Sequence, residues 1–496
     1  MPKAMKRVSL FRRLSLIFFV LGGVFPMAAF EPTPGDHALT FTAGYDGSLE
    51  PYRLFIPEQA RDKIPLPLLV VLHGKGADQN TWFDYTPVRK FAAEKGYVVA
   101  APQARGDYFY RGAAEQDVLD MIRIVQDMLP IDPDRIYLMG HSMGGWGCFW
   151  IGLRNPDVFA ALCPMSGFAP SELLSNARHL SLFMIHDTDD PVVPVQNFRD
   201  AAVKLASLGI SFRYKEEQGY GHDSKMIGNN FPELFDWMEA KRRISNPRRI
   251  TITTRTPYKG KARWISILET LHYPKLAYMD AEFQSPDHLK ISTNNIRRLG
   301  INLTDLPFDL SGDLKIAINQ MDFMISSPKG WILFDLDPVR NEWQFTLSDS
   351  WPQLRLRNQS LAHISADDPM VTSPTLMTSA AALLLCEETG EDLCLFLPDA
   401  FRFPGGDVTE DRVLDLYVYP EERLARFTYQ GEPLPMIISM QPQFFPTGKY
   451  DPKSRKAYQV IAPLNIAEKF DLPLEIMPDV TGEYLLRALS RKKSFP

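Results

Sequence analysis

Between about Thr40 and Lys241 the chain carries five unbroken apolar runs: "PLPLLVVLHG", "GYVVAAPQ", "DRIYLMGHS", "FAALCPMSG" and "LSLFMIHDT". A strand with one wet face alternates apolar and polar residues. An unbroken run suits a strand covered on both faces. Helix-patterned stretches separate the runs, among them "EQDVLDMIRIVQDML" and "NFRDAAVKLASLG", the second stopped by Gly209. Strands alternating with helices predict a doubly wound, mostly parallel α/β sheet. "FPELFDWMEAKRRI" reads as its closing helix and "SNPRR", Ser245 to Arg249, as a linker.

After Arg249 the pattern changes to period two in "RITITTRTPYKGKARWISIL", "HLKISTNNIRRLGINL" and "DLKIAINQMDF". This predicts an antiparallel, sandwich-like β domain over residues 247–368. Residues 369–496 mix a helix-like stretch, "MTSAAALLLCEETG", with strand-like "EDLCLFLPDAF" and "RLARFTYQG", and read as a smaller α+β domain. The chain length of 496 residues accommodates such a division. At the other end, residues 1–29 have a basic head with Lys3, Lys6, Arg7, Arg12 and Arg13. A short apolar run and then Ala28 and Ala29 follow. That is the pattern of a secretory signal peptide, and it implies export to the periplasm or medium. No later stretch is long and apolar enough to span a bilayer. A net charge of −6 gives no footprint for nucleic acid. Cys148, Cys163, Cys386 and Cys394 show no zinc spacing and read as buried thiols.

Chemistry concentrates in "LMGHSMGGWG", where Ser142 stands between Gly140 and Gly144 directly after a strand-like run. This is the G-x-S-x-G nucleophile elbow. A serine hydroxyl needs a base, a group to orient that base, and donors for the oxyanion. The orienting acid is expected after a later strand, and "HDTDDP" supplies Asp187, Asp189 and Asp190, which the residues alone do not separate. The base is expected after the next strand, where "GYGH" supplies His222. Oxyanion donors are expected from the Met143 N–H and from the loop after an early strand, with Gly74 and Lys75 as candidates. His73 reads as a structural loop residue.

In "VVLHGKGAD", "YRGAAEQDVLDMI", "IDPDRIYLMGHSMGGWGCFWIGLRNPDVFAALCPMSG", "IHDTDDPVVP" and "GYGH" the chain resembles the α/β-hydrolases. The likeness is greatest to the secreted esterase and predicted-peptidase group that includes feruloyl and acetylxylan esterases and polyhydroxybutyrate-depolymerase-like enzymes. The resemblance covers roughly residues 40 to 240 and selects Asp190 as the acid. Asp187 stands where the group usually has glycine. Residues 247–368 look like a β domain that follows some predicted peptidases. "TSAAALLLCEETGEDLCLFLPDAFRFPGGDVTEDRVLDLYVYP" is faintly similar to the C-terminal domain of 5′-nucleotidases, in a degenerate form that keeps only Arg402 of the nucleoside-holding segment.

The expectation is an exported serine hydrolase that cleaves carboxylic esters through Ser142, His222 and Asp190 and an acyl-enzyme. This chemistry calls for no metal and no organic cofactor. A serine peptidase with the same triad is the in-class alternative, and a non-catalytic carbohydrate- or surface-binding protein the other. The twelve residues Phe168 to His179 between two strands are too few for a lid domain. An open cleft bordered by Trp82, Phe83, Tyr85 and Trp146 is therefore expected, suited to a bulky or polysaccharide-linked ester. The segment 31–246 is expected to fold and act alone.

Overall fold

The computed structural model describes residues 32–350, apart from 45–46 and 273–274, and the backbone of seven strands between residues 360 and 480. Eight strands form the first sheet: β1 (Gly35–Thr42), β2 (Leu49–Ile56), β3 (Leu66–Leu72), β4 (Val98–Pro102), β5 (Ile131–His141), β6 (Ala161–Met165), β7 (Ser181–Asp187) and β8 (Arg213–Glu217). Their order is β1-β2-β4-β3-β5-β6-β7-β8. The two β1 and β2 pairings are antiparallel, and all pairings from β4 to β8 are parallel.

The unbroken apolar runs follow from two cores, one on each face. On β3, Leu68, Val70 and Leu72 enter one core, and Leu69 and Val71 the other. On β5, Ile136 and Leu138 divide from Tyr137 and Met139 in the same way. Helices α3 (Ala113–Met128), α4 (Met143–Arg154) and α5 (Gln196–Ser207) cover the first face. Helices α1 (Thr81–Tyr85), α2 (Val88–Lys95) and α6 (Lys225–Glu239) cover the second. Alternation persists in these strands, but both sets of side chains are apolar. The edge strand β8, "RYKEE", is charged and ion-paired through Arg199–Glu216 and Lys215–Glu233, which blunts an otherwise open sheet edge.

The second unit is a sandwich. One sheet pairs β9 (Arg249–Thr254), β12 (Ala277–Ser285), β13 (His288–Asn294), β15 (Leu314–Ile318) and β16 (Met321–Ile325). The other pairs β10 (Lys261–Ala262), β11 (Ile265–Thr270), β14 (Ile296–Asn302), β17 (Trp331–Asp337) and β18 (Glu342–Ser348). Only β13 and β15 run parallel within it. Its core gathers Trp264, Phe283, Ile291, Leu299 and Phe334. The strand Ser360–Ile364 pairs with Gly406–Thr409 rather than with either of these sheets, so the expected boundary at 368 divides two paired strands. The helix-like stretch near 373–386 lies outside the described residues.

The two units meet through buried polar groups. The short helical turns Ser171–His179, between β6 and β7, lie along β9. The Asn176 amide donates to Thr253 O at 2.9 Å and accepts from Thr253 N at 2.7 Å. Ser175 meets Thr253 Oγ1 at 2.7 Å, and Arg178 donates to Thr251 Oγ1 at 2.8 Å. Buried Glu115 on α3 accepts from Arg154 and Asn155 at the end of α4, and pairs with Lys259 of the second unit at 2.8 Å. Asp157 accepts the Arg263 N–H at 2.9 Å. Each unit keeps its own hydrophobic core, but these buried polar contacts cross the boundary at 246, and leaving them unmet would be costly.

Candidate active site

Ser142 occupies the single residue between β5 and α4, with φ 60° and ψ −119°. A serine held in that strained region keeps its side chain above the carboxyl edge of the sheet. The turn leaves no room for side chains beside it. A Cβ at Gly140 would lie 2.1 Å from the Gly144 carbonyl oxygen, and one at Gly144 2.1 Å from Leu72 O. The Ser142 N–H donates to Met165 O at 3.0 Å, which fastens the elbow to the neighbouring strand.

His222 stands in the loop between β8 and α6. Its Nε2 is 2.8 Å from Ser142 Oγ and its Nδ1 2.7 Å from Asp190 Oδ2. The carboxylate fixes the tautomer: Nδ1–H donates to Asp190, and Nε2 accepts the serine proton. The Asp190 side chain is fully buried, and its other oxygen accepts the N–H groups of Val192 and Val193, both at 2.9 Å. Burial pushes the Asp190 pKa up, but the hydrogen bonds from His222, Val193 and Val192 outweigh it and hold the carboxyl below its ordinary range.

The three aspartates left open by the sequence have separate surroundings. Asp190 meets His222. Asp187, fully buried, accepts the Asp189 N–H at 2.8 Å and the Tyr220 N–H at 2.8 Å, and so joins the acid loop to the base loop. Asp189 is exposed.

Two histidines that the sequence did not single out surround the triad. The His141 ring centroid is 4.8 Å from that of His222, and burial lowers its pKa to about 4, with the His222 charge adding to the effect. His141 is therefore neutral near pH 7. His186 directs Nε2 to Val193 O at 2.8 Å and lies 3.5 Å from Asp190 Oδ2. Burial lowers its pKa too. In the sequence His141 is marked only by adjacency to Ser142, whereas His186 also stands at the histidine of the H-G-x-x-D-x-x-V-P pattern by which the resemblance selects Asp190.

Met143 opens α4, and the first N–H groups of a helix have no intrahelical acceptor. Gly74 runs against the nucleophile: a Cβ there would meet Ser142 Cβ at 3.5 Å and Oγ at 4.0 Å. Lys75 follows it on the exposed side of the loop. His73 is buried, with Nδ1 2.8 Å from Gly74 O and Nε2 2.9 Å from Gln103 O, so its ring organises the loop.

The expected cleft border needs correction. Trp82 and Phe83 are 2% and 1% exposed and belong to the core under α2 and α6; Trp82 Nε1 donates to Leu72 O. Trp146, 3% exposed, is stacked between Trp150 and Phe168 and donates to Phe109 O. Only Tyr85 is exposed. The other three rings sit on α1 and α4 and gain more from burial there than from edging a wet cleft. Cys148 and Cys163 are buried free thiols. Among the described residues no cluster of His, Cys, Asp and Glu is arranged to hold a metal, and no helix is long and apolar enough to cross a membrane.

Residues 41–257 match the Esterase family, described as "Putative esterase". A bifunctional acetylxylan esterase/xylanase of Neocallimastix patriciarum is 30% identical over 145 residues, which are 27% of this chain and 22% of that protein. The S-formylglutathione hydrolase of Rattus norvegicus is 25% identical over 147 residues, 24% of this chain and 51% of that protein. The chain thus spans about half or less of the curated relatives it matches. Among solved structures, a thermostable esterase is 27% identical with a TM-score of 0.37, covering 42% of this chain and 63% of that one.

Proposed function

Residues 41–257 form a domain of the esterase family, within the α/β-hydrolase superfamily, and on that premise we propose that the protein is an exported serine hydrolase of carboxylic esters. One observation carries the reading: the continuous hydrogen-bond chain Ser142–His222–Asp190, at 2.8 and 2.7 Å. Ser142 Oγ attacks the ester carbonyl carbon as its proton passes to His222 Nε2. Asp190 stabilises the imidazolium and holds the ring. The tetrahedral oxyanion is met by the N–H groups of Met143 and of the Gly74–Lys75 loop. As the C–O bond breaks, His222 returns the proton to the departing alcohol, leaving an acyl-serine. Water, deprotonated by the same histidine, then releases the acid and restores Ser142.

The short link from Phe168 to His179 supports a bulky or polymer-linked alcohol, because it supplies no cap over the nucleophile and instead packs along β9. The basic and apolar segment at residues 1–29 supports export.

A fluorophosphonate probe tests the reading. The wild-type protein should be labelled and Ser142→Ala should not. A panel of p-nitrophenyl esters and peptide anilides then assigns the bond cleaved, with esters expected to turn over. An unlabelled wild type would sink the proposal, and turnover confined to anilides would replace ester by peptide.

A further inference from the structure

The loop after β4, residues 103–112, has no part in the steps above, yet it holds a costly backbone. Ala104, Arg105, Phe109 and Tyr110 have φ of 45°, 62°, 52° and 56°. Such conformations persist where the surroundings over-determine them. Arg105 is held by Glu50 and Asp117 and Phe109 O by Trp146, and the loop at residues 73–79 supplies the rest. Gln103 O receives His73 Nε2 at 2.9 Å, Asp107 Oδ1 accepts the Gly76 N–H at 2.7 Å, and Tyr110 OH donates to His73 O at 2.9 Å. Tyr110 is completely buried, and its ring packs against α4 where Gly147 has no side chain; a Cβ there would be 2.3 Å from a ring carbon.

We propose that Tyr110 is a positioning residue that fixes the His73–Gly74 peptide and thereby sets the Gly74–Lys75 backbone that offers its N–H groups to the oxyanion. The inference rests on the serine-hydrolase reading. A trans peptide is planar, so its C=O and N–H point in opposite directions. The His73 carbonyl is held on the α4 side: it accepts from Tyr110, and a Cβ at Gly144 would lie 2.9 Å from it. The Gly74 N–H is therefore turned to the other face of the peptide, and Gly74 itself runs in contact with Ser142. Without the phenol hydroxyl the buried carbonyl loses a donor and the peptide loses its anchor. A rotated His73–Gly74 peptide would also shift the next one, whose Gly74 carbonyl lies 2.8 Å from His73 Nδ1, and so move the loop's N–H groups off the developing negative charge. Burial raises the Tyr110 pKa well above its ordinary value, so the hydroxyl remains a donor throughout the working pH range.

The test uses the full chain with three residues at position 110: tyrosine, Tyr110→Phe, and Tyr110→4-aminophenylalanine, which keeps a donor on the same ring. Fluorophosphonate labelling rate, kcat and KM on p-nitrophenyl acetate, and Tm are measured for each. Loss of a whole oxyanion donor costs about 100-fold or more, so loosening one should lower kcat and labelling in Tyr110→Phe about tenfold, with KM within about twofold. The amino variant should stay within about threefold of wild type. A Tyr110→Phe protein with kcat within about twofold of wild type would overturn the inference, as would an amino variant as slow as Tyr110→Phe. If Tyr110→Phe does not fold, the amino variant decides: folded and active supports the latch, folded and inactive removes it. A wild type that does not label takes down the serine-hydrolase reading and this inference together. A labelled wild type with an equally labelled Tyr110→Phe removes only the latch.

Discussion

Strand β3 buries all seven of its residues, whereas β12 buries Ala277, Met279, Ala281 and Phe283 and turns Tyr278, Asp280 and Glu282 outward. The two strands represent two ways of making a core, and the difference explains where chemistry can gather. Parallel strands covered on both faces must be joined by crossover helices, so their carboxyl ends all lie along one edge. The loops after β5, β7 and β8 converge there with Ser142, Asp190 and His222. In the sandwich most strands reverse at each turn, and the loops are shared between two ends. A base, an acid and a nucleophile from separate strands are much harder to bring together in that arrangement.

The strongest way to break the comparison is to remove chemistry from the parallel edge. Ser142→Ala and His222→Ala should each lower hydrolysis by about 10⁴-fold or more and leave Tm nearly unchanged, as for other triads. More than a tenth of wild-type activity in Ser142→Ala would mean that the reactive group lies elsewhere. Asp190→Asn should come next, at about 10³- to 10⁴-fold, because an amide favours the wrong histidine tautomer. Asp187→Asn should lose less activity than Asp190→Asn and more stability, since Asp187 joins two loops through the Asp189 and Tyr220 N–H groups. Paired kcat and melting measurements separate the two roles. The reverse ranking in kcat would make Asp187 the orienting acid.

A second break concerns independence. A chain cut at 246 leaves Asn176 without Thr253, Glu115 without Lys259 and Asp157 without the Arg263 N–H. Breaking a buried ion pair alone costs roughly 3–5 kcal/mol, a large fraction of the stability of one domain. We expect residues 32–246 to be insoluble or to melt far below residues 32–350, with esterase activity retained only by the longer chain. Equal melting temperatures for the two would restore the simpler division at 246.

The reasons some of this was legible before the structure, and some was not, are physical. Unbroken apolar runs with helices between them imply a sheet covered on both faces, and the period-two runs after Arg249 imply a sandwich; both patterns are set by local burial. Ser142 is marked by glycines that steric contact requires. His222 follows from strand order. Asp190 could not be separated from Asp187 by composition, because the distinction lies in which loop atoms each carboxylate accepts. Trp82, Phe83 and Trp146 were misread because an aromatic residue near an elbow has the same sequence signature whether it edges a cleft or fills a core. The bonds across the boundary at 246 were invisible for a related reason: Asn176 and Glu115 are polar residues in polar-looking segments, and only three-dimensional packing buries them.

The smallest expected effect separates the two regions by acid. His141 lies beside the triad and His179 at the junction, where its Nε2 meets Arg249 O. Burial is the main cause that lowers each to about 4. A histidine in the unfolded chain titrates near 6.5, so the unfolded state takes up protons first as pH falls. Each residue therefore contributes stability above about pH 6.5 that is lost progressively as pH falls toward 4. Between pH 7 and 5 the loss should be about 2 kcal/mol per histidine, or several degrees in Tm. Glu115 adds a later step. Burial raises its pKa, but Arg154, Lys259 and Asn155 outweigh that, so the net value lies below the ordinary range. Its contribution is present above about pH 4.3 and is lost as pH falls through the lower folded value. His179→Gln, which can still donate to Arg249 O, should flatten the fall in Tm between pH 7 and 5, while Glu115→Gln should flatten only the part below about pH 4.5. If His179→Gln leaves the pH 7 to 5 slope as steep as in wild type, the acid-sensitive group lies outside the junction, and His141→Gln then tests whether it lies at the triad.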